Sequence, residues 1–323
     1  MSAESMPDQG PGTMASGTTA PGTTASGTLA SATEPEPRPE AEAASGLRIA
    51  VRRFTRNRLA VAGLAVVVLF VLFCFVGPYL YPTDQVHTTL TQVNLSPGAK
   101  HLLGTDAVGH DELGRLMYGG KVSLLVGLAA GVLATVIGTL WGAAAGYAGG
   151  WVDAVMMRVV DAGIAIPALF ILLVISAVTT PGVFGLIVIL GLVSWLVPSR
   201  LIRAETLTLK NRDYVLTLRA IGGSHTRAVT RHVLPNSIST IVVAATFQVA
   251  DAILLVAYVS YLGLGVQPPA TDWGGMLSAG LTAAYSGRWW LILPPGLAVI
   301  LVVCAFNAIG DGLRDAFDVR GRG

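Results

Sequence analysis

The run Val122–Ala148, VSLLVGLAAGVLATVIGTLWGAAAGYA, decides the fold class. It holds 27 consecutive uncharged residues, and a helix needs about 20 predominantly apolar residues to cross the hydrocarbon core of a bilayer. Similar runs flank it. Leu59–Leu80 and Trp289–Gly310 each give 22 uncharged residues, Ala162–Ser199 gives 38, and Val233–Thr271 is interrupted only by Asp251. Thr179-Thr180-Pro181-Gly182 is a turn signal that divides the 38-residue run in two. The expectation is an all-α polytopic membrane protein with six spans, at about 59–80, 122–148, 154–178, 183–202, 235–262 and 289–310. The third must borrow residues from Val152–Asp161 to be long enough.

Composition agrees with this reading. Hydrophobic residues make up 53% of the 323-residue chain and charged residues 12%, roughly half the charged share of a soluble domain. That shortage excludes a disordered or nucleic-acid-binding chain and argues against an ordinary soluble enzyme. The two cysteines, Cys74 and Cys304, both lie in apolar runs, so no disulfide framework is implied.

The net charge of +2 says little, but its distribution says more. Sixteen Lys and Arg residues fall on one side of the six expected spans, including Arg48–Arg58 and the stretch from Arg200 to Arg231. Four fall on the other: Lys100, Arg115, Lys121 and Arg288. The positive-inside rule then puts both termini in the cytoplasm. Residues 1–46 carry near-repeats such as Gly17-Thr18-Thr19-Ala20-Pro21 and an acidic, proline-containing stretch. With one leucine and no aromatic residue they read as a disordered cytoplasmic tail, without the apolar core of a signal peptide. Residues 47–323 are the membrane domain, with an outer loop at 81–120 and a cytoplasmic segment at 203–232.

Catalytic constellations are missing. Gly119-Gly120-Lys121-Val122 is the nearest approach to a P-loop, and it lacks the hydroxyl residue after the lysine. No histidine lies in an expected span, so Ser194 has no partner there for serine–histidine chemistry. His101, Asp106, His110, Asp111 and Glu112 gather in the outer loop, but their spacing fits no tight metal-ligand pattern, and a structural role is favoured. Asp251, an acid near the middle of a span, must face the bundle interior or a wet path. It reads either as a packing residue or as a polar contact on a translocation path. Gly138, Gly142, Gly146 and Gly150, four residues apart, allow a helix to approach closely, within the chain or at a second subunit. The segment Arg203–His232 is either a docking surface or a solvated connector on anionic lipid.

Tyr214-Val215, Ala220-Ile221-Gly222 and Arg231-His232-Val233-Leu234-Pro235-Asn236 resemble the cytoplasmic signature of ABC importer permeases. That signature is a Glu-Ala-Ala triplet, three residues, a glycine, nine residues, then Ile-x-Leu-Pro. Three further stretches resemble the second (C-type) permease of the dipeptide/oligopeptide/nickel branch. They are His101–Asp106 with Gly109-His110-Asp111 and Arg115–Gly119, Ser260–Pro269 with Trp273-Gly274, and Phe306-Asn307 with Gly310–Asp315. The chain departs from the pattern in four places. Leu216-Thr217-Leu218 stands in place of the triplet, and His232 takes the Ile position. Val256 stands where the branch commonly has glutamate, and His110 where it often has arginine.

The resemblance implies the type I ABC importer permease fold in a prokaryotic plasma (inner) membrane. It implies ATPase coupling through Tyr214, Val215, Ala220, Gly222, Gly223, Arg231, Leu234, Pro235 and Asn236. Outer-loop or gate residues would be Gly104, Thr105, Asp106, Asp111 and Arg115, with Asp251 and Ser260 along the pathway. Expected partners are a second (B-type) permease subunit, two P-loop ATPase subunits holding ATP and Mg, an extracytoplasmic substrate-binding protein delivering short peptides, and membrane lipid. No cofactor is expected on this chain, and nickel chelates stand behind peptides as solutes. A stand-alone secondary carrier is the rival class, with no visible inverted repeat to support it. The segment 203–232 would act as a lever, turning at Gly222. Gly222→Trp is therefore expected to abolish transport and ATPase coupling without stopping membrane insertion; normal transport by that variant would refute the lever.

Overall fold

The computed structural model describes residues 39–220, 222 and 224–317. Two units divide the chain, residues 1–42 and 43–323, and of the first only residues 39–42 are described. The near-repeats of the N-terminal tail thus lie outside the described residues. Residues 39–46, expected to be disordered, are the start of helix α1 (Pro39–Arg56). Proline suits the first turn of a helix, and the Glu-Ala-Glu-Ala-Ala that follows is made of strong helix formers.

The membrane domain continues with α2 (Arg58–Phe75), the single turn α3 (Gly77–Leu80) and α4 (Glu112–Ala148). Then come α5 (Gly150–Ile164), α6 (Ala168–Thr179), α7 (Val183–Ser194) and α8 (Leu196–Leu209). Short helices α9 (Asp213–Ala220), α10 (His225–Ala228) and α11 (Leu234–Asn236) lead to α12 (Ile238–Tyr261). Helices α13 (Trp273–Leu281) and α14 (Leu293–Phe317) complete the described chain. Among the described residues the fold is all helical, apart from an isolated bridge between Thr105 and Asp111.

Four helical segments are long and apolar enough to cross a membrane by themselves: Arg58–Phe75, Glu112–Ala148, Ile238–Tyr261 and Trp289–Phe317. The pairs α5/α6 and α7/α8 qualify only if each bent pair is one span, which brings the number to six. The α5/α6 pair bends by 73° and the α7/α8 pair by 45°. The expected third and fourth spans are therefore broken helices. Pro167 accounts for the first break, since it lacks an N–H and disfavours helix in the residue before it.

Several boundaries differ from those expected. The first span ends at Phe75 instead of residue 80. The second begins at Glu112, so the outer loop is 81–111, and Arg115 and Lys121 belong to a helix. The stretch Glu112 to Lys121, with its charged Glu112, Arg115 and Lys121, extends the helix about three turns ahead of the apolar run, starting where Asp111 caps it by accepting from Gly114 N at 2.8 Å. Helix α8 of the fourth expected span runs on through Arg203 to Leu209, shortening the expected cytoplasmic segment at its start.

Helix α4 is the centre of the bundle. Its most apolar window is 56% buried against 17% for α2, and it packs along α7, α8 and α12. Small residues make this possible. A Cβ at Gly138 would lie 2.8 Å from Trp195 O, one at Gly146 would lie 2.9 Å from Arg203 O, and one at Gly142 would strike Ser199 O. On the outer half, a Cβ at Gly131 would lie 2.8 Å from Val249 Cα, and one at Gly127 would strike Ile253. The glycine stripe thus packs α8 and α12 within the chain. Gly150, the expected fourth member, turns away at φ +55° with nothing within 4 Å.

A salt bridge ties the inner ends together: Arg203 Nε donates to Asp153 Oδ1 at 2.5 Å and Nη2 to Oδ2 at 2.6 Å, joining α8 to α5. Lys210 Nζ donates to Gly146 O at 2.7 Å, at the C-terminus of α4 where a cation complements the helix dipole. Gly142→Leu is predicted to force α8 away from α4. A destabilisation of about 1–3 kcal/mol, or more if the helices separate, is the ordinary scale for overpacking. Thermal unfolding in detergent measures it, and an unchanged midpoint would contradict the assigned packing.

Candidate functional site

Three regions carry the residues singled out from the sequence: a latch in the expected outer loop (the outer latch), a cavity beside the breaks in the two bent helix pairs, and a pair of short helices in the expected cytoplasmic segment (the inner helix pair).

The latch is built around two aspartates. Asp111 holds three partners at once. Its Oδ1 caps α4, while its Oδ2 accepts from Tyr81 OH at 2.9 Å and lies 2.9 Å from His101 Nδ1. Burial and this hydrogen bond both raise the Tyr81 pKa. Asp106 accepts from Val108 N at 2.9 Å and His110 N at 2.8 Å through Oδ1. Its Oδ2 stands 3.4 Å from Arg115 Nε. His110 Nδ1 lies 3.1 Å from that carboxylate oxygen and 3.0 Å from Arg115 Nη1. Arg115 can only donate, so a neutral His110 satisfies one of these neighbours at a time. Thr105 is fully buried and donates to Gln92 O at 2.5 Å. Gly104 has φ +74°, and a Cβ there would strike Leu95 O. Gly104, Thr105, Asp106, Asp111 and Arg115 are thus brought together as braces of one compact loop. Among the described residues no group of three or more His, Cys, Asp or Glu side chains could hold a metal ion.

Ser260 and Asp251, paired in the sequence reading as pathway residues, separate. Ser260 is buried and donates to Asp272 Oδ2 at 2.5 Å. Asp272 Oδ1 caps α13 through Gly275 N at 2.7 Å. The next residue, Trp273, is fully buried against α4, with Nε1 donating to Leu116 O at 3.0 Å and its backbone N donating to Ser123 Oγ at 3.1 Å. Ser260 therefore anchors α13 and does not border the cavity that Asp251 lines. Sequence reasoning missed Asp272; the signal was an Asp two residues ahead of Gly274-Gly275, an N-cap placement.

Asp251 lines a cavity of 360 Å³ between α12 and the two broken helices. Ile164, Ile166 and Pro167 border it at one break, Ser194 and Leu196 at the other, and Gln248 and Tyr258 on α12.

The inner helix pair rests on a small apolar cluster of Val215, Ala228 and Val233 with Leu209 of α8 and Tyr147 of α4. Val215 is fully buried, so α9 is tied to the bundle. Tyr214, Leu216, Thr217 and Ala220 on the same helix are exposed. The Tyr214 ring sits 6.2 Å from that of His232, which lies in a π-helical turn, Val229–Val233. Arg231, Pro235 and Asn236 are exposed and Leu234 is half-buried. Gly222 has φ +83° with nothing within 4 Å of an added Cβ, so its backbone conformation, not crowding, calls for glycine. Gly223 lies outside the described residues. Pro235 falls in α11, and α12 starts three residues later at Ile238.

Residues 138–323, which include this inner helix pair, match the family described as binding-protein-dependent transport system inner membrane component. The chain belongs to that family. Residues 45–97 match the N-terminal TM domain of oligopeptide transport permease C. A Brucella suis biovar 1 protein named as a peptide permease is 44% identical over 83% of this chain and 89% of its own. The dipeptide transport system permease protein DppC of Bacillus subtilis is 37% identical, over 83% of each chain. The oligopeptide transport system permease protein OppC of Escherichia coli K12 is 40% identical over 88% of this chain and 94% of its own. By name these relatives are permease proteins of peptide transport systems, and the family is a transport-system membrane component, not an enzyme.

Burial raises the Asp272 carboxyl above its ordinary value of 3.8, against the opposing pull of the Ser260 hydroxyl and nearby backbone N–H groups. A raised folded-state pKa contributes stability that is complete below the unfolded value and is lost as pH rises through the folded one. Asp272→Asn has nothing to lose over that window. Its stability relative to the parent should rise from pH 4 towards pH 8 in detergent thermal unfolding, and a pH-independent difference would contradict the assignment.

Proposed function

We propose that this chain is the C-type permease subunit of an ATP-driven importer for short peptides, forming half of a translocation pathway with a second, B-type permease. Peptides follow from the names of relatives that cover more than four-fifths of the chain at 37–44% identity. The observation that carries the coupling role is the seating of the inner helix pair. Val215 and Val233 are fully buried in one cluster with Tyr147 and Leu209, so a force applied to the exposed side of α9 reaches the ends of α4 and α8. One of the two P-loop ATPase subunits of the complex, which bind ATP and Mg, would dock there, and the other on the second permease. The Leu216 and Thr217 side chains offer that partner an apolar and a hydroxyl contact in place of a carboxylate.

The outer latch would present a firm surface to an extracytoplasmic substrate-binding protein. Six spans with cytoplasmic termini are the reading supported by the charge bias and by the two bent pairs, each taken as one span, and the family match supports a prokaryotic inner membrane. The inner arginines would also meet anionic lipid.

Capture of this chain from native membranes in mild detergent, with its companions identified by mass spectrometry, tests the assembly. A second permease and P-loop ATPases in stoichiometric amount are expected, and the reconstituted complex should accumulate peptide only with ATP. A chain that comes down alone and transports on an ion gradient would refute the importer reading and favour a carrier.

A further inference from the structure

Asp251 stands near the midpoint of α12, and no hydrogen bond or ion pair within the described chain reaches its carboxylate. An unpaired carboxylate facing lipid at that depth is costly, so this face must meet water or a cation. The structure supplies the place. The cavity of 360 Å³ that Asp251 lines is within the range of small-molecule sites. Its walls are mostly apolar, and Asp251 is the one carboxylate in them, with no Lys or Arg among the lining residues.

The polar groups that share the cavity are neutral. Gln248 and Tyr258 lie on the same face of α12, at helical spacing from Asp251. Across the cavity, Ser194 carries a buried Oγ with no hydrogen-bond partner. The two helix breaks open the wall at this level, because the bends at Pro167 and Trp195 both fall on the cavity. Discontinuous helices around a solute site at membrane depth are a recurring arrangement in transport proteins.

We propose that Asp251 is the counter-charge for a cationic nitrogen of the passing solute and the specificity-determining residue of this half of the pathway. The proposal rests on the permease reading and names the group recognised: an ammonium or guanidinium, from a peptide's free N-terminus or from a basic side chain. A neutral solute of the same size gains nothing from Asp251, whereas a cationic one gains a charge-assisted contact in a mostly apolar cavity.

Two measurements test it. In the first, Val197→Cys, at an exposed residue in the wall of the same cavity, is introduced with Cys304→Ser, and alkylation of the cavity thiol by a neutral maleimide is followed in the full-length chain in membranes. n-Butylammonium should slow alkylation several-fold while n-butanol at the same concentration does not, and Asp251→Asn should erase the difference. Equal protection by the two probes, or protection that survives Asp251→Asn, overturns the proposal.

In the second, the complete complex in proteoliposomes takes up trialanine, N-acetyl-trialanine and an N-acetylated tripeptide with a central lysine. Asp251→Asn should reduce uptake of at least one cationic peptide about ten-fold, the scale of one hydrogen bond to a charged group. Uptake of N-acetyl-trialanine should be unchanged, and Asp251→Glu should restore the lost rate. A fall for trialanine assigns the N-terminal ammonium as the source, and a fall for the lysine peptide assigns the side chain. An equal fall for all three, or none, overturns the proposal. If the thiol measurement shows the amine preference but the parent complex moves no peptide, the cation site stands and the peptide reading fails.

Discussion

The close approach of backbones along α4 is the constraint on which the other contacts depend. Gly127 and Gly131 admit α12, while Gly138, Gly142 and Gly146 admit α8. With side chains at these positions the neighbouring helices would stand off, and the contacts between them would be lost. In hydrocarbon there is little hydrophobic drive between helices, so close packing and hydrogen bonds carry association. The chain places these two resources at different levels. Glycine stripes serve the apolar middle, while the Asp153–Arg203 salt bridge and the Trp273 hydrogen bonds serve the ends.

From this arrangement comes a division between stiff and bent parts. Helices α4, α12 and α14 are continuous through the bundle. The pairs α5/α6 and α7/α8 are broken, and both breaks border the cavity. Breaks free backbone polar groups, which membrane proteins tolerate where they meet protein or a wet cavity and not where they meet lipid. The same argument applies to Asp251. Its position is expensive in lipid and tolerable beside a cavity, so the bends and the carboxylate are two signs of one feature.

The inner helix pair and the outer latch are both surface elements held from beneath. Val215, with Leu218 packed against the same cluster, pins α9 through apolar burial, leaving Tyr214, Leu216, Thr217 and Ala220 outward. In the latch, Asp111 and Asp106 gather backbone N–H groups, a tyrosine, two histidines and an arginine, so the loop is braced by hydrogen bonds in place of a core. The His and Asp residues that cluster in the sequence of this loop form two separate centres, each with its own partners.

Much of this was legible from the chain itself. Apolar run lengths pointed to six candidate crossings, of which four are single helices and two would be bent pairs, because the bilayer's thickness is a one-dimensional requirement that a run of residues meets or fails. The motif order pointed to the permease family for a similar reason, since those motifs are local. Boundaries were less legible. Asp111 extends α4 outward past polar residues, and Pro167 breaks a run whose hydropathy is unbroken. Only the tertiary structure decided that Gly138–Gly146 face α8 of the same chain, that Ser260 serves Asp272, and that Asp251 opens on a cavity with Ser194 and Gln248. Each depends on which faces of distant helices meet, and a charged or small residue carries no mark of its partner until packing brings the two within a few ångströms.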